Sequence, residues 1–323
     1  MNYIIVDIGG TKTLFVYLKK SMKKTKIILS KKVKTPQKDF FIIKHLKQLD
    51  EFIKETNIKN FKLRYSVCGP VKNNVILSLP NLQIYDLDLR KYIEDFFSKK
   101  IDIKIENDVN CFAIGIKNLY KNQILNSSFF CLNIGTGIGG SYVNHQKLFL
   151  GNNGNFAEIG REIFNQKIRE DFFSKSLDLI HKLRLEIIKK NEIQLNNFQD
   201  YLEFIKKYNL KNNDTIEKID DYFFENFLEL ISSIEKLYDP KYIFIGGSLV
   251  YYLEYLLEKY KNKIEEKSVG DFYKKIKYKD FNKLKNLLEN NKVNISEKLN
   301  YINYTNINYN VYGAIYLNEK KWL

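Results

Sequence analysis

At 323 residues the chain is too long for one small core and suits two lobes, and 44% hydrophobic with 28% charged residues is an ordinary globular balance. Four prolines leave no room for a proline-rich linker, three cysteines (Cys68, Cys111, Cys131) fit neither a disulfide framework nor paired metal-ligand spacing, and no apolar run reaches membrane-spanning length. The net charge of +15 would suit a polyanion, but the lysines are spread through the chain beside frequent Asn, Ile and Tyr. The densest run, Lys19, Lys20, Lys23, Lys24, Lys26, Lys31 and Lys32, reads as a solvated face, so neither nucleic acid nor membrane is an expected partner.

The chain opens directly on a strand at residues 3–6, without a secretory pattern, which makes the cytoplasm the expected location. Asp7 and the pair Gly9-Gly10 follow, then strands at Leu14–Leu18 and Ile27–Val33. Apolar residues at three- and four-residue steps predict a helix over 40–56, with His45 as a packed histidine on its inner face. A strand at 61–67 runs into the turn Cys68-Gly69-Pro70; a helix at 89–99, a strand at 101–105 and a helix starting near Asp108 come next. Residues 129–143 repeat the strand, glycine turn, strand unit of residues 3–18. The pattern over 171–263 is mainly helical, broken by a buried strand at 241–247, and 259–298 reads as amphipathic surface helices.

Three stretches carry chemistry. In DIGGTKT (7–13), Gly9 and Gly10 let backbone N–H groups approach a phosphate, Thr11 and Thr13 offer hydroxyl donors, Lys12 adds charge, and Asp7 suits a hydrated magnesium ion. In GTGIGG (135–140), Gly135, Thr136, Gly137 and Gly139 form a second glycine turn, which is not a dinucleotide fingerprint because a strand follows it. In ENDVN (106–110), Asp108 lies where a strand gives way to a helix; it suits either a helix cap or a general base, and Asn107 can bond a hydroxyl. Glu158 and Glu170 are acceptors of the kind that orient a sugar ring, although glutamates are ordinarily just solvated.

The order DIGGTKT, CGPV, PNL, ENDVN, IGTGIGG, GNNGNFAEIG and YDPKYIFIGGS resembles the ROK family of sugar kinases and sugar-responsive repressors, over about residues 3–316. The resemblance implies an α/β, two-lobed, actin-like (ribonuclease H-like, hexokinase-type) ATPase fold, with residues 1–106 and 310–323 as one lobe and 107–309 as the other. It implies ATP and magnesium as cofactors, a homodimer, and transfer of phosphate to the 6-hydroxyl of a hexose or N-acetylhexosamine, of glucokinase or N-acetylmannosamine kinase type. By the same resemblance Asp108 is the catalytic base. The two glycine turns hold the phosphates, Gly246, Gly247 and Ser248 lie on the adenosine side, and Asn81, Asn107, Glu158 and Glu170 lie on the sugar side. Gly313 and Ala314 match the closing helix, which in this family packs back on the N-terminal lobe.

Two departures bear on the substrate. Arg161 stands where most members carry a histidine, able to reach a sugar hydroxyl or an acetamido oxygen or to turn outward, and residues 163–169 contain no cysteine, so no zinc is expected. The alternative is a non-catalytic sugar-binding or sugar-sensing protein of the same family. Repressors carry a helix-turn-helix ahead of the kinase-like part, whereas only Met1 and Asn2 precede the first strand here, which favours the enzyme.

Overall fold

The computed structural model describes residues 1–21, 25–120, 124, 126–134, 137–154, 156–161, 163–164, 167–168, 214–247, 253, 255–256, 259–260 and 309–317. The chain divides into two compact units, Met1–Ser127 with Ser141–Ala157 and Lys285–Leu323, and Ser128–Gly140 with Glu158–Leu284.

The first unit is built on β1 (Asn2–Ile8), β2 (Lys12–Lys20), β3 (Thr25–Lys34), β4 (Lys62–Val67) and β8 (Ile103–Asn107), in the order β3-β2-β1-β4-β8. The two hairpin connections are antiparallel, and β1, β4 and β8 run parallel. Side chains alternate across a strand, so β1 and β2 feed two cores at once. Ile4, Val6, Ile8, Phe15 and Tyr17 meet Leu46, Leu49 and Phe52 of α1 (Phe41–Thr56) and Leu89 and Ile93 of α2 (Leu89–Phe97). On the opposite face Tyr3, Ile5, Leu14, Val16 and Leu18 meet Cys111 of α3 (Asp108–Leu119) and Val311 and Ala314 of α5 (Tyr309–Ala314). Each such aliphatic or aromatic side chain contributes about 1.5–3 kcal/mol by leaving water.

Gly313 lets α5 lie directly on α3: a Cβ there would stand 1.6 Å from the Cys111 carbonyl oxygen and 2.9 Å from Gly115 N. His45 is buried on the inner face of α1, as its spacing predicted, stacked on Phe41 and 3.0 Å from the Tyr65 hydroxyl.

A three-stranded sheet, β5 (Val71–Lys72), β6 (Val75–Leu79) and β7 (Ile84–Leu87), was not foreseen. Asn73 and Asn74 turn its first hairpin with φ of 53° and 65°, the left-handed pair that tight hairpins favour and asparagine tolerates. Asn74 Oδ1 accepts the Ile105 N–H at 3.0 Å, tying this sheet to β8.

β9 (Phe129–Ile134) is followed by β10 (Ile138–Asn144), which pairs antiparallel with β11 (Lys147–Phe149). Two-residue strands β12 (Ile163–Phe164) and β13 (Lys167–Ile168) form a hairpin. In the second unit α4 (Asp214–Tyr238) precedes β14 (Tyr242–Gly246), which pairs parallel with β9. The buried Asp220 of α4 accepts Tyr255 Oη at 3.1 Å and Lys259 Nζ at 2.7 Å, which satisfies its charge. Among the described residues no helix is long and apolar enough to cross a membrane. The helices expected over 171–213 and 261–298 lie outside the described residues.

Candidate active site

The parallel register sets Asp7, Ser66 and Glu106 level on β1, β4 and β8, near the carboxyl ends of the strands, where open α/β sheets place ligands. Ser66 Oγ donates to Asp7 Oδ1 at 2.6 Å, which holds that carboxylate in one orientation. Glu106 Oε1 accepts the Asn107 N–H at 2.8 Å and Asn110 Nδ2 at 3.0 Å. Burial pushes the Glu106 carboxyl up, against the opposing pull of those two bonds. Ser141 Oγ in turn donates to Asn110 Oδ1 at 2.8 Å.

Asn107 caps α3. Its Oδ1 accepts the backbone N–H groups of Val109 at 2.8 Å and Asn110 at 3.0 Å, and its Nδ2 donates to the Gly69 carbonyl at 3.1 Å. The capping role that suited Asp108 in the sequence thus belongs chiefly to its neighbour, because Asn107 is the residue with extended backbone just before the first turn. Asp108 is the first residue of the helix, half-buried, with Oδ1 2.9 Å from the Val109 N–H. Burial pushes the Cys68 and Cys111 thiols up, and the charges of both Asp7 and Asp108 add to the shift at each. The two carboxylates therefore act on one neighbourhood.

The β1–β2 turn is shaped by close approach. Gly9 N donates to the Lys12 carbonyl at 3.0 Å, and a Cβ on Gly10 would stand 2.8 Å from Asn81 Nδ2. Gly10 is half-buried, while Thr11, Lys12 and Asn81 are exposed. Thr13 differs from the expectation of an outward donor: it is fully buried, with its hydroxyl 3.0 Å from that of Thr35, since strand alternation turns it inward. Asp7, Gly9, Gly10, Thr11, Lys12, Thr13, Asn81, Asn107 and Asp108 all belong to the first unit.

In the second unit, Gly137 and Gly139 stand at the start of β10 and Gly246 ends β14. Gly247 has φ of 99° and a Cβ there would be 2.2 Å from the Ile134 carbonyl oxygen, so only glycine fits. Glu158 is half-buried and follows Ala157, whose φ of 67° is costly for a residue with a Cβ. The backbone of Arg161 lies in a 3-10 turn, Ile159–Arg161. Gly135, Thr136, Ser248 and Glu170 lie outside the described residues. Among the described residues no group of three or more His, Cys, Asp or Glu could hold a metal ion.

Sequence reasoning did not single out Thr35, Ser66, Asn110 or Ser141. Ser66 and Ser141 carry no local motif. Asn110 lies inside ENDVN, in the first turn of α3, where it reaches back to Glu106 at the end of β8; the strand-to-helix junction read at Asp108 is the signal that could have paired them.

Residues 3–170 match the ROK family, and the chain belongs to it. It has the family's α/β, actin-like ATPase fold. The chain is 27% identical over 193 residues to the xylose repressor of Staphylococcus xylosus, covering 59% of this chain and 49% of that protein. It is 29% identical over 153 residues to the beta-glucoside kinase of Listeria innocua, covering 46% and 51%. The matches thus span about half the length of these relatives. A ROK family glucokinase from Streptomyces griseus, solved in complex with glucose and AMPPNP, superposes with a TM-score of 0.62 at 17% identity, over 84% of this chain and 90% of that one.

Proposed function

We propose that the chain is an ATP-dependent sugar kinase, transferring the γ-phosphoryl group of ATP to the 6-hydroxyl of a hexose or N-acetylhexosamine. The observation that carries this reading is the placement of Asp7 level with Ser66 and Glu106 near the carboxyl ends of the parallel strands, with Asp108 opening the helix that follows β8. Asp108 is the general base: it takes the hydroxyl proton as the sugar oxygen forms its bond to phosphorus and the bond to the ADP oxygen breaks.

The residues fit a polyphosphate, because the paired glycines of a partly exposed turn carry no side chains over their backbone N–H groups, and such groups bind phosphate oxygens. Asp7, held by Ser66, suits a hydrated magnesium ion, which would neutralise charge on the phosphates. Glu158 and Glu170 are assigned to sugar hydroxyls, Arg161 to a hydroxyl or acetamido oxygen, and a homodimer is the working assembly. Likeness to a xylose repressor favours one second reading, a sugar-sensing protein without turnover.

ADP release with magnesium and ATP, measured in parallel on glucose, mannose, N-acetylmannosamine, N-acetylglucosamine and fructose, separates the two. Turnover on at least one sugar is expected, and sugar binding without any ADP would defeat the kinase reading.

A further inference from the structure

We infer that Thr35 is a positioning residue for the phosphate turn, its hydroxyl fixing the direction in which the Gly9–Gly10 peptide faces; this rests on the kinase reading above. Thr35 follows β3 and is fully buried. Two of its groups reach the same turn: its N–H donates to the Thr11 carbonyl at 3.0 Å, and its hydroxyl donates to the Gly9 carbonyl at 2.8 Å. A hydroxyl has one hydrogen, so with that of Thr35 on Gly9 the 3.0 Å contact with Thr13 has Thr13 as donor. The result is a buried relay from Thr13 to Thr35 to the Gly9 carbonyl, in which each bond polarises the next.

The consequence follows from peptide geometry. In a planar trans peptide the C=O and N–H point in opposite directions. Holding the Gly9 oxygen toward Thr35 therefore faces the Gly10 N–H away from it, and holding the Thr11 oxygen does the same for the Lys12 N–H. Paired glycines accept either sign of φ, so this peptide is easily flipped when nothing grips it. A flipped Gly9–Gly10 unit would present a carbonyl oxygen where a phosphate oxygen must approach. Thr35 thus keeps the donors, and not the acceptors, on the anion side. Nothing local in the sequence marks it, since it lies 26 residues from Gly9.

The test compares wild type with Thr35→Val, which keeps size and backbone N–H but removes the hydroxyl, and with Thr35→Ser, which retains it. Calorimetric affinity is measured for magnesium-AMPPNP and for adenosine, which has no phosphates to orient. Loss of one aimed interaction should weaken AMPPNP about tenfold in the valine variant, with adenosine unchanged and the serine variant close to wild type. AMPPNP binding at wild-type strength in Thr35→Val would overturn the inference. So would an equal loss for adenosine, or a serine variant as weak as the valine one. A wild-type protein that binds neither probe would instead overturn the kinase reading itself.

Discussion

The side chain of Asn81 fills the space beside Gly10: a Cβ on that glycine would lie 2.8 Å from Asn81 Nδ2 and 2.9 Å from its Cβ. The Gly9–Gly10 turn and the PNL stretch, some 70 residues apart in the chain, are thereby one surface. A side chain at residue 10 must displace Asn81 or the turn. Gly10→Ala is expected to raise the KM for ATP about tenfold or more. Adding Asn81→Ala should relieve part of that loss, with a coupling of about 1 kcal/mol in a double-mutant cycle. Strictly additive effects would contradict the contact.

Asn107 supplies the cap of α3, so the proton-acceptor role proposed for Asp108 and the stability of the helix are separable at adjacent positions. Asp108→Asn should lower kcat by about 10²–10⁴ with sugar affinity and melting temperature nearly unchanged. Asn107→Ala should lower unfolding free energy by about 1–2 kcal/mol in urea titration, as α3 loses its cap. A turnover number in Asp108→Asn equal to wild type would remove this aspartate from the mechanism.

Gly313 is the contact point between α5 and α3. The atom met by an added Cβ is backbone, the Cys111 carbonyl oxygen at 1.6 Å, so no rotamer change relieves the clash. Gly313→Ala should destabilise the protein by about 3 kcal/mol, seen as a lower midpoint in chemical denaturation. An unaltered midpoint would mean that the two helices do not touch there.

His45 is neutral in the folded protein because burial lowers its pKa from 6.5 to about 4. The unfolded chain takes up a proton at pH 6.5, the folded one only near 4, so the unfolded state holds more protons between these values. Stability is therefore full above pH 6.5 and falls as pH drops toward 4, by about 3 kcal/mol from this residue alone. Urea midpoints across pH 4–7 read the slope. His45→Gln should flatten it, and an unchanged slope in that variant would assign the acid sensitivity to other groups.

Much of the first unit was legible in the sequence. The strands of the opening hairpin, α1 and α2 have predicted bounds within a few residues of those observed, and α3 starts at Asp108, where a helix start was expected. The sheet of β5 to β7 was not read, because its strands are two to five residues long and too short for periodicity to register. Asn73-Asn74 was the available signal, a left-handed turn pair between Val71-Lys72 and the apolar run that starts at Val75. Thr13 was read as a donor from its motif, yet its orientation depends on strand parity and on Thr35 behind it.

Local chemistry, then, is written in the chain: glycines where backbone must bend or be approached, an asparagine and aspartate at a strand-to-helix junction, apolar runs at helical or strand spacing. These are short-range constraints, satisfied within a few residues, so they can be read without coordinates. The partners of each polar side chain are another matter. Asp7 is oriented by Ser66 across 59 residues and Glu106 stands level with both, an arrangement that exists only once three parallel strands pair in register. Non-local pairing is settled by the whole sheet and the helices that cover it, and no single stretch of sequence contains that information.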